Sequence, residues 1–259
     1  TRMDICSSVD STQPKMSYSL MLQTVSNCNY NNHQSGINGV VYCSANKHKM
    51  NLALLIIAAY LIGSIPTAYW IGKIFFNIDI REHGSKNMGA SNTFRVLGAV
   101  WGIIVLLIDM GKGMAAVQLA AAVQSSSWLG TELTFWKLIF GLTAVAGHIF
   151  PIFAGFRGGK GVATLFGVVI AIQPWTALIS VGAFLIVVFL TKYISLGSII
   201  AVVVFAACVW FAVVESNIYM RWFSVIAATL VIGMHWSNIL RLFSGKEHKF
   251  NGFRKKKKP

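Results

Sequence analysis

The sequence GFRGGKG, at residues 155–161, lies between two apolar segments, 134–154 and 161–173, that have the character of membrane-crossing helices. Its glycines surround Arg157 and Lys160. The backbone N–H groups of such a turn can close onto phosphate oxygens while the two side chains supply positive charge. The stretch therefore predicts an anion-binding loop at the surface of a membrane.

The rest of the chain supports a polytopic membrane protein. Of the 259 residues, 55% are hydrophobic and only 12% are charged, and a helix needs about 20 apolar residues to cross roughly 30 Å of hydrocarbon. We predict an all-α helical bundle with cytoplasmic-side glycine-rich loops and seven transmembrane helices, at 51–75, 98–123, 134–154, 161–173, 175–191, 196–214 and 220–243. The fourth segment is short and is stopped by Pro174, which is typical of a half-span or of a tilted helix inside the bundle.

Basic residues predict the orientation. With seven spans, one side of the membrane holds seven loop lysines and arginines and eight more from Arg241 onward, whereas the other side holds Lys137 and Arg221. This asymmetry places the loops and the C-terminus in the cytoplasm. The net charge of +14 is thereby explained by orientation and by contact with anionic lipid, and we expect no nucleic-acid partner.

The two ends of the chain differ from its middle. Residues 1–49 are polar, contain three of the four cysteines and include no span. Because Met50 directly precedes the first apolar segment, we expect 1–49 to be a non-native addition from a misassigned start, with a disordered native extension as the alternative. We assign 50–249 to the membrane domain and 250–259 to a basic cytoplasmic tail.

A second polar loop follows the first apolar segment, over 79–95. Arg95 can grip an oxyanion with two parallel N–H groups. Neutral hydrogen-bonding side chains precede it at Ser85, Asn87, Ser91 and Asn92. A loop is usually polar in any case, so this pattern alone leaves a phosphate site and an ordinary loop equally open.

Several ionisable residues lie within or beside the apolar segments. Asp109 and Lys112 are three residues apart, which favours a structural ion pair on one helix face over direct catalysis. His148 precedes the glycine-rich stretch and suits either a proton shuttle or a hydrogen-bonded core histidine. His235 and Asn238 share one face of the last apolar segment.

Ser195 and Ser198 open the sixth apolar segment, where Ser195 is expected to cap the helix. A helix N-terminus at that surface would also favour an anion.

Other catalytic patterns are absent from the sequence. The glycine-lysine stretch is not a nucleotide-binding P-loop, since Gly161 stands where Ser or Thr is required. No metal-ligand spacing, no HExxH and no H-x4-D pattern occurs, so we expect no metal and no cofactor. A membrane transporter of phosphate esters or anions is the alternative function, but such a protein would place charge near the bilayer midplane and show repeated halves.

These residues resemble the bacterial acyl-phosphate:glycerol-3-phosphate acyltransferases, the PlsY family. The matching blocks cover nearly all of 50–249 in the family's order. They are GSIPTAYWIGK (63–73), HGSKNMGASNTFRVLG (83–98), DMGKG (109–113), GHIFPIFAGFRGGKGVAT (147–164), SLGS (195–198) and HWSNILRLFSGKEHK (235–249). Where the family usually has a glycine, this chain has Lys86, which should stiffen the turn.

The resemblance implies two groups of site residues. It implies catalytic roles for His235, Asn238, Arg95 and Lys160. The substrate-binding set would be Ser85, Asn87, Ser91, Asn92, Arg95, Arg157, Gly158, Gly159, Lys160, Gly161, Ser195 and Ser198. Glu247, like Asp109 and Lys112, is expected to brace the structure.

The resemblance also implies the reaction. An acyl group would pass from acyl phosphate to the 1-position of glycerol 3-phosphate and give lysophosphatidic acid and phosphate for phospholipid synthesis. The expected partners are the two substrates, the lipid bilayer and an upstream acyl-phosphate-forming enzyme. The expected location is the bacterial cytoplasmic (inner) membrane, with the active site on the cytoplasmic side.

Overall fold

A computed structural model describes residues 52–124, 133–211 and 217–250. Regular secondary structure in these ranges is entirely helical, which agrees with the predicted all-α class. The predicted extension at 1–49 and the lysines of the predicted basic tail lie outside the described residues.

The α-helices follow one another with short connections. In chain order they are α1 Leu52–Ser64, α2 Thr67–Phe76, α3 Ala90–Val96, α4 Ala99–Gln118, α5 Ala120–Gln124, α6 Leu133–Ile149, α7 Val162–Ile172, α8 Pro174–Thr191, α9 Ile194–Trp210, α10 Ile218–Met234 and α11 Trp236–Phe243. Two single turns of 3-10 helix, Ile80–Glu82 and Ile152–Ala154, lie in the loops before α3 and α7.

Helices occupy all seven predicted segments, but their lengths do not establish seven crossings. Three segments of the described chain are long and apolar enough to span a membrane, Ala99–Val123, Leu133–Ala154 and Pro174–Thr191. The pairs α1–α2 and α10–α11 raise this number to five if each bent pair is one span. Helix α7 has 11 residues and so is only about 16 Å long, half the thickness of the hydrocarbon.

The two bent helix pairs break at different kinds of residue. The axes of α1 and α2 meet at 43°, next to Pro66, which cannot donate a backbone hydrogen bond. The axes of α10 and α11 meet at 58° at His235, where the sequence predicts one continuous segment. His235 therefore lies at a helix junction, where a side chain can be directed differently from those of either helix.

Small residues bring the central helices into close contact. A side chain at Gly113 would overlap the carbonyl oxygen of Thr164, and one at Gly167 would overlap that of Met110, so α4 and α7 touch through their backbones. Such contacts are typical of helices packed within a membrane. Helix α8 lies at the outside, with Phe189 74% exposed, as expected for a surface that faces lipid.

Candidate active site

The first polar loop is held together by the side chain of Asn92. Its Oδ1 accepts from the N–H of Ser85 at 2.7 Å and from the Ser85 hydroxyl at 3.1 Å. Its Nδ2 donates to the carbonyls of Ile80 and His83, both at 3.0 Å. An amide has two N–H groups and two lone pairs, and all four are used here. Asn92, 1% exposed, therefore braces the loop, and the predicted direct phosphate contact is not supported by this geometry.

The turn before α3 needs left-handed backbone at two positions. Gly84 has a φ of 61° and Lys86 a φ of 59°. A residue with a Cβ pays about 1–2 kcal/mol for this conformation, whereas glycine does not. The replacement of the family's usual glycine by Lys86 therefore places strain in the loop, and the predicted stiffening of the turn stays a prediction.

Helix α3 carries Arg95 in its last turn, one turn after Ser91 on the same face. Burial lowers the pKa of the Arg95 guanidinium, the negative charge of Glu247 raises it, and the neighbouring Arg241 lowers it. Arg95 thus lies within electrostatic reach of Arg241 in α11 and of Glu247 after that helix, although both are far away along the chain. Asn87 is partly buried beside Gly89 at the start of this helix.

The glycine-lysine loop, 155–161, is seated on the C-terminal end of α6. The N–H of Gly158 donates to the carbonyl of Ile149 and that of Gly159 donates to the carbonyl of His148, both at 3.1 Å. Side chains at these glycines would overlap the carbonyls and ring of His148. The predicted phosphate cradle from the N–H groups of Gly158 and Gly159 is therefore wrong in detail, because those groups complete α6.

The end of this loop keeps other anion-binding features. Gly161, with a φ of 76°, directly precedes α7. The first N–H groups of a helix have no partner inside it and carry partial positive charge. Lys160 lies next to them, so its ammonium and the start of α7 can act on the same anion.

A hydrogen-bonded network joins Lys160 to three other parts of the chain. The Lys160 ammonium donates to Oδ1 of Asn238, and Nδ2 of Asn238 donates to Glu247 Oε1 at 2.7 Å. Ser195 Oγ donates to the same carboxylate oxygen at 3.0 Å, while Arg241 Nε donates to Glu247 Oε2 at 2.8 Å. The structure thus brings three of the predicted motifs together around one carboxylate, since Asn238, Arg241 and Glu247 belong to the same stretch of sequence.

Charges within the network alter the pKa values of its members. Partial burial raises the pKa of Glu247, but hydrogen bonds from Asn238, Arg241 and Ser195 outweigh this effect and bring it below the ordinary value. Burial lowers the pKa of Lys160 to about 8, although Glu247 acts in the opposite direction. Lys160 is therefore mostly protonated at neutral pH, but it is less exposed to water than its glycine-rich sequence predicts.

His235 is buried at the junction of α10 and α11. Its Nδ1 lies 2.8 Å from the carbonyl oxygen of Val231. A carbonyl only accepts hydrogen bonds, so Nδ1 carries the hydrogen and the neutral ring keeps a lone pair on Nε2. This tautomer leaves Nε2 of His235 able to accept a hydrogen bond.

Two serines of α9 and Arg157 of the glycine-lysine loop were also predicted as site residues. Ser195 lies inside α9, whose N-cap is Tyr193, so its predicted capping role is wrong. Ser198 is buried and donates to the carbonyl of Ile194 at 3.0 Å. Arg157 is exposed on the outer side of the glycine-lysine loop.

Asp109 and Lys112 form a buried ion pair, with Nζ 2.6 Å from Oδ1. Lys112 Nζ also donates to the carbonyl of Ile65 at 2.7 Å, and Asp109 accepts from the hydroxyl of Thr67 at 3.0 Å. His148 Nδ1 is 3.8 Å from Asp109. The pair therefore fills the break between α1 and α2, as a structural pair would, and His148 lies between the pair and the glycine-lysine loop.

The contribution of Arg241 to the network was not predicted as a site contact. Arg241 and Glu247 are six residues apart, and α11 ends between them at a turn in which Gly245 has a φ of 68°. Helical periodicity therefore does not predict that the two side chains meet.

Among the described residues, no group of three or more His, Cys, Asp or Glu side chains is arranged to hold a metal ion.

Comparisons with known proteins agree with the resemblance. The family model described as glycerol-3-phosphate acyltransferase matches residues 53–245. A glycerol-3-phosphate acyltransferase of Chlorobaculum tepidum is 39% identical and aligns with 78% of this chain and 97% of its own length. One from Listeria monocytogenes is 43% identical, over 77% of this chain and 97% of its own.

Solved structures give the same result. A crystal structure of PlsY, described as an integral membrane glycerol 3-phosphate acyltransferase in its glycerol 3-phosphate form, superimposes with a TM-score of 0.68 at 36% identity and covers 77% of this chain and 95% of its own. The lysophosphatidic acid form of PlsY superimposes with a TM-score of 0.65 at 34% identity, over 76% of this chain and 94% of its own.

Proposed function

The chain belongs to the glycerol-3-phosphate acyltransferase family, and from that membership we propose that it transfers an acyl group from acyl phosphate to the 1-hydroxyl of glycerol 3-phosphate. The products are lysophosphatidic acid and inorganic phosphate. PlsY has been solved in a glycerol 3-phosphate form and in a lysophosphatidic acid form, which supports this substrate and this product.

The observation that carries the proposal is the network around Glu247. Ser195 of α9 and Asn238 and Arg241 of α11 bond to this carboxylate, and Lys160 joins the network through Asn238. Two phosphorylated substrates repel each other strongly unless cations lie between or beside them. Lys160 and Arg95 supply such cations, and the N–H groups at the start of α7 add further positive charge.

The chemistry needs no covalent enzyme intermediate. The oxygen of the 1-hydroxyl attacks the carbonyl carbon of the mixed anhydride, the bond from that carbon to the phosphate oxygen breaks, and phosphate leaves with the electron pair. The hydroxyl proton passes to a phosphate oxygen of the donor, with Nε2 of His235 as the alternative acceptor. Correct alignment of hydroxyl and carbonyl supplies much of the acceleration.

The site faces the cytoplasm in this proposal, because basic residues cluster at its end of the bundle. The acyl chain lies between helices in an apolar groove that opens to lipid. Seven crossings of the cytoplasmic membrane are consistent with the seven helical segments. Acyl phosphate comes from an upstream enzyme that forms it.

The test is an assay of purified protein with acyl phosphate and labelled glycerol 3-phosphate. We expect labelled lysophosphatidic acid and equimolar phosphate. Parallel reactions with acyl-CoA, and with the Lys160→Ala variant, serve as controls and should give little product. Equal turnover with acyl-CoA would contradict the proposed donor, and failure with every donor would contradict the proposed reaction.

A further inference from the structure

Arg81 contacts three separate elements of the fold. Its Nε and Nη2 bond to the two carboxylate oxygens of Asp79, at 3.0 and 2.8 Å. Its Nη1 donates to the carbonyl of Ala154 at 2.9 Å, and its guanidinium lies 4.4 Å from the ring centre of Tyr69. One side chain therefore connects the first polar loop, the turn before the glycine-lysine loop and helix α2.

Each end of this connection leads to a cation of the candidate site. Ala154 directly precedes Gly155, the first residue of the glycine-lysine loop that carries Lys160. On the other side, the carbonyl of Ile80, next to Arg81, accepts from Asn92 on α3, and Arg95 lies one turn further along that helix. Hydrogen bonds and one short helix thus link the loop of Lys160 to the helix of Arg95 through Arg81.

The contacts of Arg81 with Asp79 and Ala154, called the Arg81 clamp below, depend on the planar, forked shape of the guanidinium. Asp79 holds the guanidinium in plane through two parallel bonds, and Oδ1 of Asp79 also accepts from the backbone N–H of Arg81 at 3.0 Å. This leaves Nη1 directed at Ala154. The hydrogen bond and charge of Arg81 lower the pKa of Asp79, and the same bond raises the pKa of Arg81, so both groups remain charged. A lysine ammonium is a single point charge and cannot reproduce this planar fork.

We propose that Arg81 is a positioning residue, which sets the distance between the loop that carries Lys160 and the helix that carries Arg95. This inference rests on the proposed function, in which those two cations hold two phosphorylated substrates side by side. Arg81 touches neither substrate. It determines whether the attacking hydroxyl and the acyl carbonyl are aligned after both have bound.

The expected defect is therefore in turnover and not in binding. Each loop keeps its own hydrogen bonds when the Arg81 clamp is lost. Asn92 holds the first polar loop, and the last carbonyls of α6 hold the glycine-lysine loop. A displacement of about 1 Å between reacting groups can cost on the order of 100-fold in rate. We expect Arg81→Lys to lower kcat by about 10- to 100-fold while the KM for each substrate changes less than about threefold.

The experiment compares Arg81→Lys, Asp79→Asn and the double variant with the unaltered protein, using acyl phosphate and glycerol 3-phosphate. Asp79→Asn removes the charge that aims the guanidinium and should reproduce the kcat defect, and the double variant should be no worse than either single one. The matched control is Lys73→Gln, which removes an exposed cation close to Asp79 and should leave kcat unchanged. Thermal unfolding of each protein in detergent separates a folding defect from a positioning defect.

Normal kcat in Arg81→Lys and Asp79→Asn would overturn the inference, as would equal losses in Lys73→Gln. A loss that appears only as a higher KM or as a lower melting temperature would also overturn it, since that result assigns Arg81 to binding or to folding. Failure of the unaltered protein to use acyl phosphate would instead contradict the proposed function, and the two failures are distinguished by that one reaction.

Discussion

The pH dependence of the reaction should report the ionisation of Lys160. Partial burial brings the pKa of this side chain to about 8, and the proposed mechanism requires its charged form. A group with this pKa is about 90% protonated at pH 7 and about 10% protonated at pH 9. We therefore expect kcat/KM to fall about tenfold between pH 7 and pH 9, since this parameter follows the free enzyme.

Substitutions separate Lys160 from other titrating groups. Lys160→Arg keeps a positive charge that is not lost below pH 12, so the fall above pH 8 should disappear while part of the activity remains. Lys160→Ala removes one preorganised cation and should cost about 2–4 kcal/mol of transition-state stabilisation, or roughly 30- to 1,000-fold in rate. Both substrates are about 90% doubly ionised at pH 7 and more so at higher pH, because the second phosphate pKa is about 6, so their ionisation does not produce the alkaline fall.

The assay is steady-state phosphate release across pH 6 to pH 10 at constant ionic strength, with stability checked at each pH. An unchanged alkaline fall in Lys160→Arg would refute the assignment of this ionisation to Lys160. Near-normal turnover in Lys160→Ala would show that the glycine-lysine loop is a structural turn without a role in phosphate binding. The phosphate site would then lie around Arg95 and His235.

Three further predictions concern the same region. Glu247→Gln removes the negative charge that raises the pKa of Lys160, so the alkaline fall in kcat/KM should move to lower pH; a shift to higher pH would contradict this reasoning. Gly159→Ala places a methyl group against the ring of His148 and should lower kcat/KM at least about tenfold, whereas Gly182→Ala, with open space around it, should leave kcat/KM unchanged. Lys86→Gly relieves left-handed backbone and should raise the unfolding free energy by about 1 kcal/mol, measured by denaturation in detergent; an unchanged or lower value would count against strain at this turn.

The helical class was predictable because apolar length alone indicates membrane helices. The number of crossings was not, since it depends on how each helix is tilted and where it breaks. The length of α7 does not show whether it crosses the membrane, and the bend at His235 has no proline to announce it in the sequence. Such bends are produced by packing between distant segments.

For the candidate site, the residues could be predicted from the sequence, but their hydrogen-bond partners could not. Residue types and the family resemblance brought Lys160, Asn238 and Ser195 into one group. In the structure Lys160 bonds to Asn238 across 78 positions of the chain, and Ser195 bonds to Glu247 across 52. The partner of each group was not predictable, because side-chain orientation decides it. Asn92 illustrates this, since its amide could equally bind a phosphate or satisfy four loop groups, and the structure has the second arrangement.

The break between α1 and α2 has a consequence for the way the protein meets lipid bilayers of different thickness. Many membrane helices adapt to a thicker bilayer by straightening or by changing their tilt. Here Lys112 holds the carbonyl of Ile65 and Asp109 holds the hydroxyl of Thr67 on the two sides of the break. Straightening would strip a buried charge pair of its partners inside the hydrocarbon, which is costly. The α1–α2 pair therefore keeps its bend and its height in the membrane. A difference between its hydrophobic length and the thickness of the bilayer is then accommodated by the lipid around this pair.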